Sequence, residues 1–307
     1  MTSRLFVRCG LTALVCLPTL VPAQAPQRAP APDTAALRGT LDSIVTAHRG
    51  VLGYTVFDVE TGIRFSHRGD ETFPTASLIK VPILVAVYDL FERGELSPSD
   101  PLTVLRIDKV PGTGILQHLH DGMTITVADA VWLMSTISDN TATNLLLDRI
   151  IIRRVWDKME ALGLMNTKVH SKSFRRNTSV AMDSSVKYGL GVTTPNEMAR
   201  LFELMARGQA VNPLADSAML RILEHGDDFR MLQRYAGNVR APRKTGLGEQ
   251  IRTECALFYL RSRIVVCALT KENADTRWLM DNEANLTLAR IGEAVVRTWR
   301  APPASAP

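Results

Sequence analysis

Ser77-Leu78-Ile79-Lys80 sets a hydroxyl and an amine three residues apart, at the head of the apolar run Val81-Pro82-Ile83-Leu84-Val85-Ala86-Val87. On a helix that spacing puts both side chains on one face, so the amine can take the hydroxyl's proton. Serine needs such a neighbour to become a nucleophile. Lysine acts as that neighbour when burial or a nearby cation makes its own proton easier to lose, and the apolar run supplies the burial. The chemistry implied is attack on a carbonyl through an acyl-serine intermediate.

Two later stretches carry matching residue types. Ser138-Asp139-Asn140 interrupts Val131-Trp132-Leu133-Met134 and precedes a second helical run, and Lys244-Thr245-Gly246 opens the last strand-rich part of the chain. S-x-x-K, S-D-N and K-T-G in this order form the signature of class A β-lactamases and penicillin-binding proteins. The chain resembles the class A serine β-lactamase family beyond these motifs, over residues 75–95, Gly112-Thr113-Gly114-Ile115-Leu116-Gln117, 124–148 and 188–199. The similarity spans residues 37–300.

The resemblance implies a role for each matching residue. Ser77 would attack the lactam or amide carbonyl with Lys80 as proton acceptor, and Ser138 would pass a proton to the leaving nitrogen. Asn140 would hold the substrate's side-chain amide and the Lys80 ammonium. Lys244 would orient Ser138 and attract the substrate carboxylate, which Thr245 would also bind, and Gly246 would leave room for close backbone approach. The N–H groups of Ser77 and Leu247 would form the oxyanion hole, where one donor is typically worth about 3 kcal/mol in the transition state. For a further carboxylate-binding arginine, Arg230 fits one of the family's two placements, Thr253 occupies the other, and Arg234 competes. Asp139 has a structural reading, as an acceptor of backbone hydrogen bonds that fix the turn presenting Ser138 and Asn140.

The chain departs from the family between Gly163 and Thr194. Class A enzymes carry an omega-loop glutamate that activates water against the acyl-enzyme, but residues 171–183 contain no glutamate, and Asp183 is their only carboxylate. Asn177 could stand for the family's loop asparagine. Release of the acyl group is therefore left to Asp183, to Lys80, or to a slow process without a dedicated base.

Three functions follow. The first is a serine β-lactamase, the second a penicillin-binding D-Ala-D-Ala peptidase or esterase that releases β-lactams slowly, and the third a non-catalytic β-lactam-binding sensor. The partner in each case is a small β-lactam or a cell-wall peptide. No cofactor is implied. His118-Leu119-His120-Asp121 is similar to the H-x-H-x-D zinc motif of the unrelated metallo-β-lactamases, but its aspartate comes one position early and no second ligand set accompanies it, so no metal is expected.

These residues need a scaffold that joins distant segments. Residues 37–48 read as a helix, 52–59 and 63–67 as a hairpin around Thr61-Gly62, and 77–93 as the nucleophile helix. Apolar spacing from 126 to 207 is mainly helical, strands return at 239–245 and 254–270, and 283–299 closes as an amphipathic helix. The expected fold is α+β, β-lactamase/transpeptidase-like, with an antiparallel sheet built from both chain termini and an inserted all-helical lobe. One catalytic domain would span 37–300, with a sheet lobe at 37–70 and 235–300 and a helical lobe at 71–234. The site would be a cleft between them. Trp132, Trp156 and Trp278 read as packing residues.

Arg4 and Arg8 precede a short apolar stretch ending at Val21-Pro22-Ala23, so residues 1–23 read as a signal peptide, 24–36 as a Pro/Ala-rich linker and 301–307 as a flexible tail. Export to the periplasm or the medium is expected. Loss of the leader leaves Cys255 and Cys267, on adjacent strands, as either a cross-strand disulfide or two buried thiols. The formal net charge of +5 over 307 residues is too mild and scattered for nucleic-acid binding, and a monomer is expected.

Overall fold

The computed structural model describes residues 32–300; the expected signal peptide, most of the linker and the tail lie outside them. In chain order come α1 (Thr34–Ala47), β1 (Val51–Asp58), β2 (Arg64–His67) and the short β3 (Phe73–Pro74). A 3-10 turn, Ala76–Ile79, leads into α2 (Lys80–Glu92), followed by β4 (Pro101–Val104) and β5 (Met123–Thr126). Then come α3 (Val127–Thr136), α4 (Asn140–Ile150), α5 (Ile152–Ala161), β6 (Lys168–Val169), α6 (Met182–Tyr188) and β7 (Gly191–Thr193). The rest is α7 (Pro195–Ala206), α8 (Pro213–Glu224), β8 (Arg243–Gly248), β9 (Ile251–Tyr259), β10 (Arg263–Lys271) and α9 (Glu283–Trp299).

The main sheet has the order β2-β1-β10-β9-β8 with antiparallel neighbours throughout. Side chains alternate between the two faces of a strand, and this sorts the core. Ala256, Phe258, Val266 and Ala268 pack with Leu37 and Leu41 of α1 and Leu288, Ile291, Val295 and Trp299 of α9. Cys255, Leu257, Val265 and Cys267 face the other way, onto Leu78, Val81, Met198 and Phe202. This is the β-lactamase/transpeptidase-like α+β fold, with β8 as an edge strand of the sheet.

Three local features differ from the sequence expectation. Ser77 lies in the 3-10 turn, and the α-helix begins at Lys80. Ala76, with φ of +44°, bends the chain at the start of the turn, just before Ser77. The largely helical middle also contains a small sheet, β3-β7-β6, that ties the segment before Ser77 to 168–193. The strand expected from 239 starts at Arg243.

Cys255 and Cys267 form a disulfide across directly opposed positions of β9 and β10, with their Cα atoms 4.1 Å apart. Lys244 is the next residue in the same cross-strand row, opposite Cys255 on β8. The bridge therefore ties β9, against which the K-T-G edge is laid, to β10 behind it.

Candidate active site

Ser77, Ser138, Asn140, Lys244, Thr245, Leu247 and Arg230 all line one cleft of about 490 Å³, a size suited to a small organic molecule. Lys80 lies beneath it and is buried, and Gly246 sits within the β8 wall.

Gly246 explains how the wall and the nucleophile turn come so close. A Cβ there would stand 2.4 Å from both Thr75 O and Thr253 Oγ1 and 2.9 Å from Leu78 N. Only glycine fits that approach, and Thr253 Oγ1 fixes it by donating to Thr75 O at 2.8 Å. Thr253 therefore fastens the turn to the sheet from a buried position and does not face substrate.

Ser138 is presented by an equally constrained turn, with φ of +59°. A non-glycine residue in that region is strained, so the surroundings must hold it there. Asp139 does much of this: its buried carboxylate accepts from Ala142 N at 2.9 Å, capping α4, and from Ile115 N at 2.8 Å and Leu116 N at 2.9 Å. Gly114, with φ of +105°, is needed beside it, because a Cβ would fall 2.2 Å from the Asp139 carboxyl carbon. Thr113 completes the join by donating from Oγ1 to Ser138 O at 2.6 Å and accepting from Asn140 N at 3.1 Å. Asn140 Nδ2 donates to Pro111 O at 3.1 Å, leaving its Oδ1 for Lys80.

Lys80 Nζ donates to Ser138 O at 2.6 Å, Asn140 Oδ1 at 2.9 Å and Ser138 Oγ at 3.1 Å. These three bonds bind it to the S-D-N turn; none goes to Ser77. Burial, reinforced by the charge on Lys244 and opposed by Asp139, pushes the Lys80 amine well below the ordinary lysine range. Lys244 Nζ donates to Ser138 Oγ at 3.1 Å and to Thr245 O at 2.9 Å. Burial lowers it to about 8, against the opposing pull of Asp228, Asp227 and Glu254. The Ser138 oxygen thus stands 3.1 Å from each of two lysine nitrogens. A hydroxyl that accepts two N–H bonds has spent both lone pairs and keeps its own proton to donate.

Arg230 is in the cleft wall, but its Nε donates to Asp228 Oδ1 at 2.7 Å, so much of its charge is already matched. Arg234 points elsewhere, donating to Met280 O. The segment 226–229 is held by the buried Arg243, which donates to Asp228 O at 3.1 Å and to Gly226 O, and whose guanidinium lies 4.0 Å from the Phe229 ring centre. Glu254 lies behind this wall, fully buried. It accepts from Leu232 N at 2.6 Å, and burial raises its carboxyl to about 8.

The loop carrying the departure from the family is fixed by Asn144. Its Oδ1 accepts from Ser173 N at 2.7 Å and its Nδ2 donates to Ser173 O at 3.0 Å. Ser173 and Phe174 line the cleft. Asp183 and Asn177 do not: both are exposed, Asp183 in the first turn of α6 and Asn177 in a 3-10 turn. His120 and Asp121 form an exposed loop in which Asp121 pairs with Lys109 at 2.6 Å.

Among the cleft residues that carried no signal used in the sequence reading are Asp227, Asp228, Ser173 and Phe174. Asp228 could have been noticed, since an acid two residues before Arg230 is placed to pair with it. Trp278 corrects an expectation: it is 61% exposed at the cleft rim over Arg252, and is not a packing residue. Trp132 is also partly exposed, at 45%, against His225.

The profile of the β-lactamase enzyme family matches residues 36–299. A β-lactamase of Rhodobacter capsulatus is 27% identical over 261 residues, 80% of this chain and 83% of the relative. Among solved structures, a β-lactamase from Sphaerobacter thermophilus superposes with a TM-score of 0.77 at 29% identity, covering 88% of this chain and all of that one. PBP-A superposes with a TM-score of 0.75 at 22% identity, over 88% of this chain and 98% of that one, a likeness of fold. A profile match across almost all of the described residues, on this fold, means that the chain belongs to the β-lactamase enzyme family, on the class A-like serine β-lactamase and penicillin-binding side of it.

Proposed function

We propose that this protein is a serine hydrolase of β-lactams that works through an acyl-Ser77 intermediate. The observation that carries the reading is the Ser138 hydroxyl held 3.1 Å from both Lys80 Nζ and Lys244 Nζ in the cleft that Ser77 lines. Ser77 Oγ attacks the lactam carbonyl as Lys80, whose amine gives up its proton readily, accepts the Ser77 hydroxyl proton. The C–N bond breaks and the nitrogen takes the Ser138 proton, which the flanking ammonium groups replace. Lys244, Thr245 and Arg230 bind the substrate carboxylate, Asn140 binds the side-chain amide, and the N–H groups of Ser77 and Leu247 receive the oxyanion. β-Lactamase relatives support this substrate class. A buried disulfide suits an oxidising compartment, in keeping with an exported monomer.

One observation favours a second reading. Asp227 and Asp228 are the only carboxylates lining the cleft among the described residues, and Asp228 is paired with Arg230. With Asp183 exposed elsewhere, release of the acyl group has no evident carboxylate base, as suits a cell-wall peptidase or esterase that β-lactams trap.

Benzylpenicillin mixed with the protein, followed by ring absorbance and intact mass, separates the readings. Ring loss with return of the free protein mass is expected for the hydrolase, and a persistent adduct marks the trap. Equal ring loss by wild type and Ser77→Ala would sink the acyl-serine reading.

A further inference from the structure

We propose that the Ser173 hydroxyl holds the water that cleaves the Ser77 ester, which makes Ser173 the positioning residue for acyl release; this rests on the acyl-serine reading above. Ser173 is 4% exposed and lines the cleft, and its Oγ is buried without a hydrogen-bond partner in the protein. A buried hydroxyl left in that state is costly, and the cleft that Ser173 lines is where a water partner would come from; Ser135 Oγ, also buried and unpartnered, is the other such hydroxyl in the lining.

Its orientation is set from behind. Both backbone groups of Ser173 are bonded to the Asn144 side chain, at 2.7 and 3.0 Å, so the residue cannot swing away without breaking two buried bonds. Asn144 sits one turn after Asn140 on α4, and residues four apart share a helix face, with Cβ atoms about 5–6 Å apart. Asn140 Oδ1 accepts from Lys80 Nζ at 2.9 Å. One face of α4 therefore bonds to both Lys80 and Ser173, through Asn140 and Asn144. The two cleft carboxylates sit by the end of α3, where Asp227 N donates to Thr136 O.

In this arrangement Ser173 Oγ fixes the water by hydrogen bonding and Lys80 Nζ takes its proton. The water oxygen bonds to the acyl carbon, the bond from that carbon to Ser77 Oγ breaks, and Lys80 returns the proton to Ser77 Oγ. The product leaves as the free acid and the enzyme is restored. A hydroxyl orients water but cannot deprotonate it, so Lys80 is charged with the base's work in both steps.

The test measures acylation and deacylation separately on the full chain, by rapid mixing with benzylpenicillin and quenched intact mass. Ser173→Ala is expected to slow deacylation about tenfold, the effect of one lost hydrogen bond, while acylation stays within about twofold. Ser173→Thr, which keeps the hydroxyl, restores most of the rate. If Ser173→Ala does not fold, Ser173→Cys replaces it, with slowed deacylation expected from its weaker hydrogen bonding. Deacylation at the wild-type rate in the folded variant overturns the proposal. An equal fall in both steps overturns it too, since that marks a packing residue. A wild type that never gains the acyl mass defeats the acyl-serine reading itself, and this inference falls with it.

Discussion

The wall around Ser138 and the wall around Ser173 are finished to different degrees. At Ser138, the carbonyl accepts from Lys80 and Thr113, the hydroxyl oxygen lies between two lysines, and the next residue is held by three backbone N–H groups. At Ser173 the backbone is bonded equally firmly, but the hydroxyl has no protein partner and the next residue, Phe174, is 67% exposed with φ of +57°. Preorganised polar groups lower a barrier because they need not rearrange during the reaction. The difference teaches that, on the proposed acyl-serine reading, the polar groups for acylation are fixed by protein partners, whereas the hydroxyl proposed to serve release is left to pair with water.

The largest expected effect breaks the finished side. Lys80→Met removes the amine, leaves Asn140 Oδ1 without its donor and leaves Ser138 O with Thr113 Oγ1 alone. Acylation, measured as the rate of adduct formation with benzylpenicillin, should fall by about 10³-fold, within the range for loss of a positioned base. A variant that still acylates within tenfold of wild type would place the base elsewhere and erase the contrast between the two walls.

That contrast also marks where the sequence was informative. Ser77, Lys80, Ser138, Asn140 and Lys244 sit in short motifs whose chemistry is written in neighbouring residues, and the alternation along β9 and β10 is enough to put Cys255 and Cys267 on one face. The job of Asp139 was legible for the same reason, since caps are local. The role of Ser173 was not, because it depends on Asn144, 29 residues earlier in the chain. Asp228 and Trp278 escaped too, as their places depend on Arg243 and Arg252 reaching across from the sheet. The 3-10 turn at Ser77 was misread as α-helix because the spacing rule that pairs Ser77 with Lys80 is blind to the positive φ at Ala76.

A middle-sized effect sharpens the comparison through pH. Burial lowers Lys244 to about 8, with Asp228, Asp227 and Glu254 favouring its charge and Arg243 adding to the opposition. A lysine in that position is charged in about nine-tenths of molecules at pH 7 and about one-tenth at pH 9. The charge is lost as pH rises, so KM for a carboxylated β-lactam should climb about tenfold across that interval, while an analogue with its carboxylate esterified shows little change. Steady-state kinetics with the pair checks this, and parallel profiles for both substrates would remove Lys244 from carboxylate binding.

The smallest effect concerns the acidic turn between these walls. Arg230 is 2.7 Å from Asp228 and only partly buried, so the pair behaves as a screened ion pair of modest worth, about 1 kcal/mol or less. Asp228→Asn releases the guanidinium toward substrate and withdraws one of the negative charges that oppose anion binding near Lys244. Both changes favour a carboxylate, so KM for benzylpenicillin should fall about threefold at low salt and less at high salt, where exposed charges are screened. Two opposing contributions keep the gain small: losing Asp228 also removes a group that helps Lys244 stay charged, and it loosens the turn that Arg243 holds through its carbonyls. If KM rises instead, Arg230 serves to anchor the turn, and carboxylate binding rests on Lys244 and Thr245.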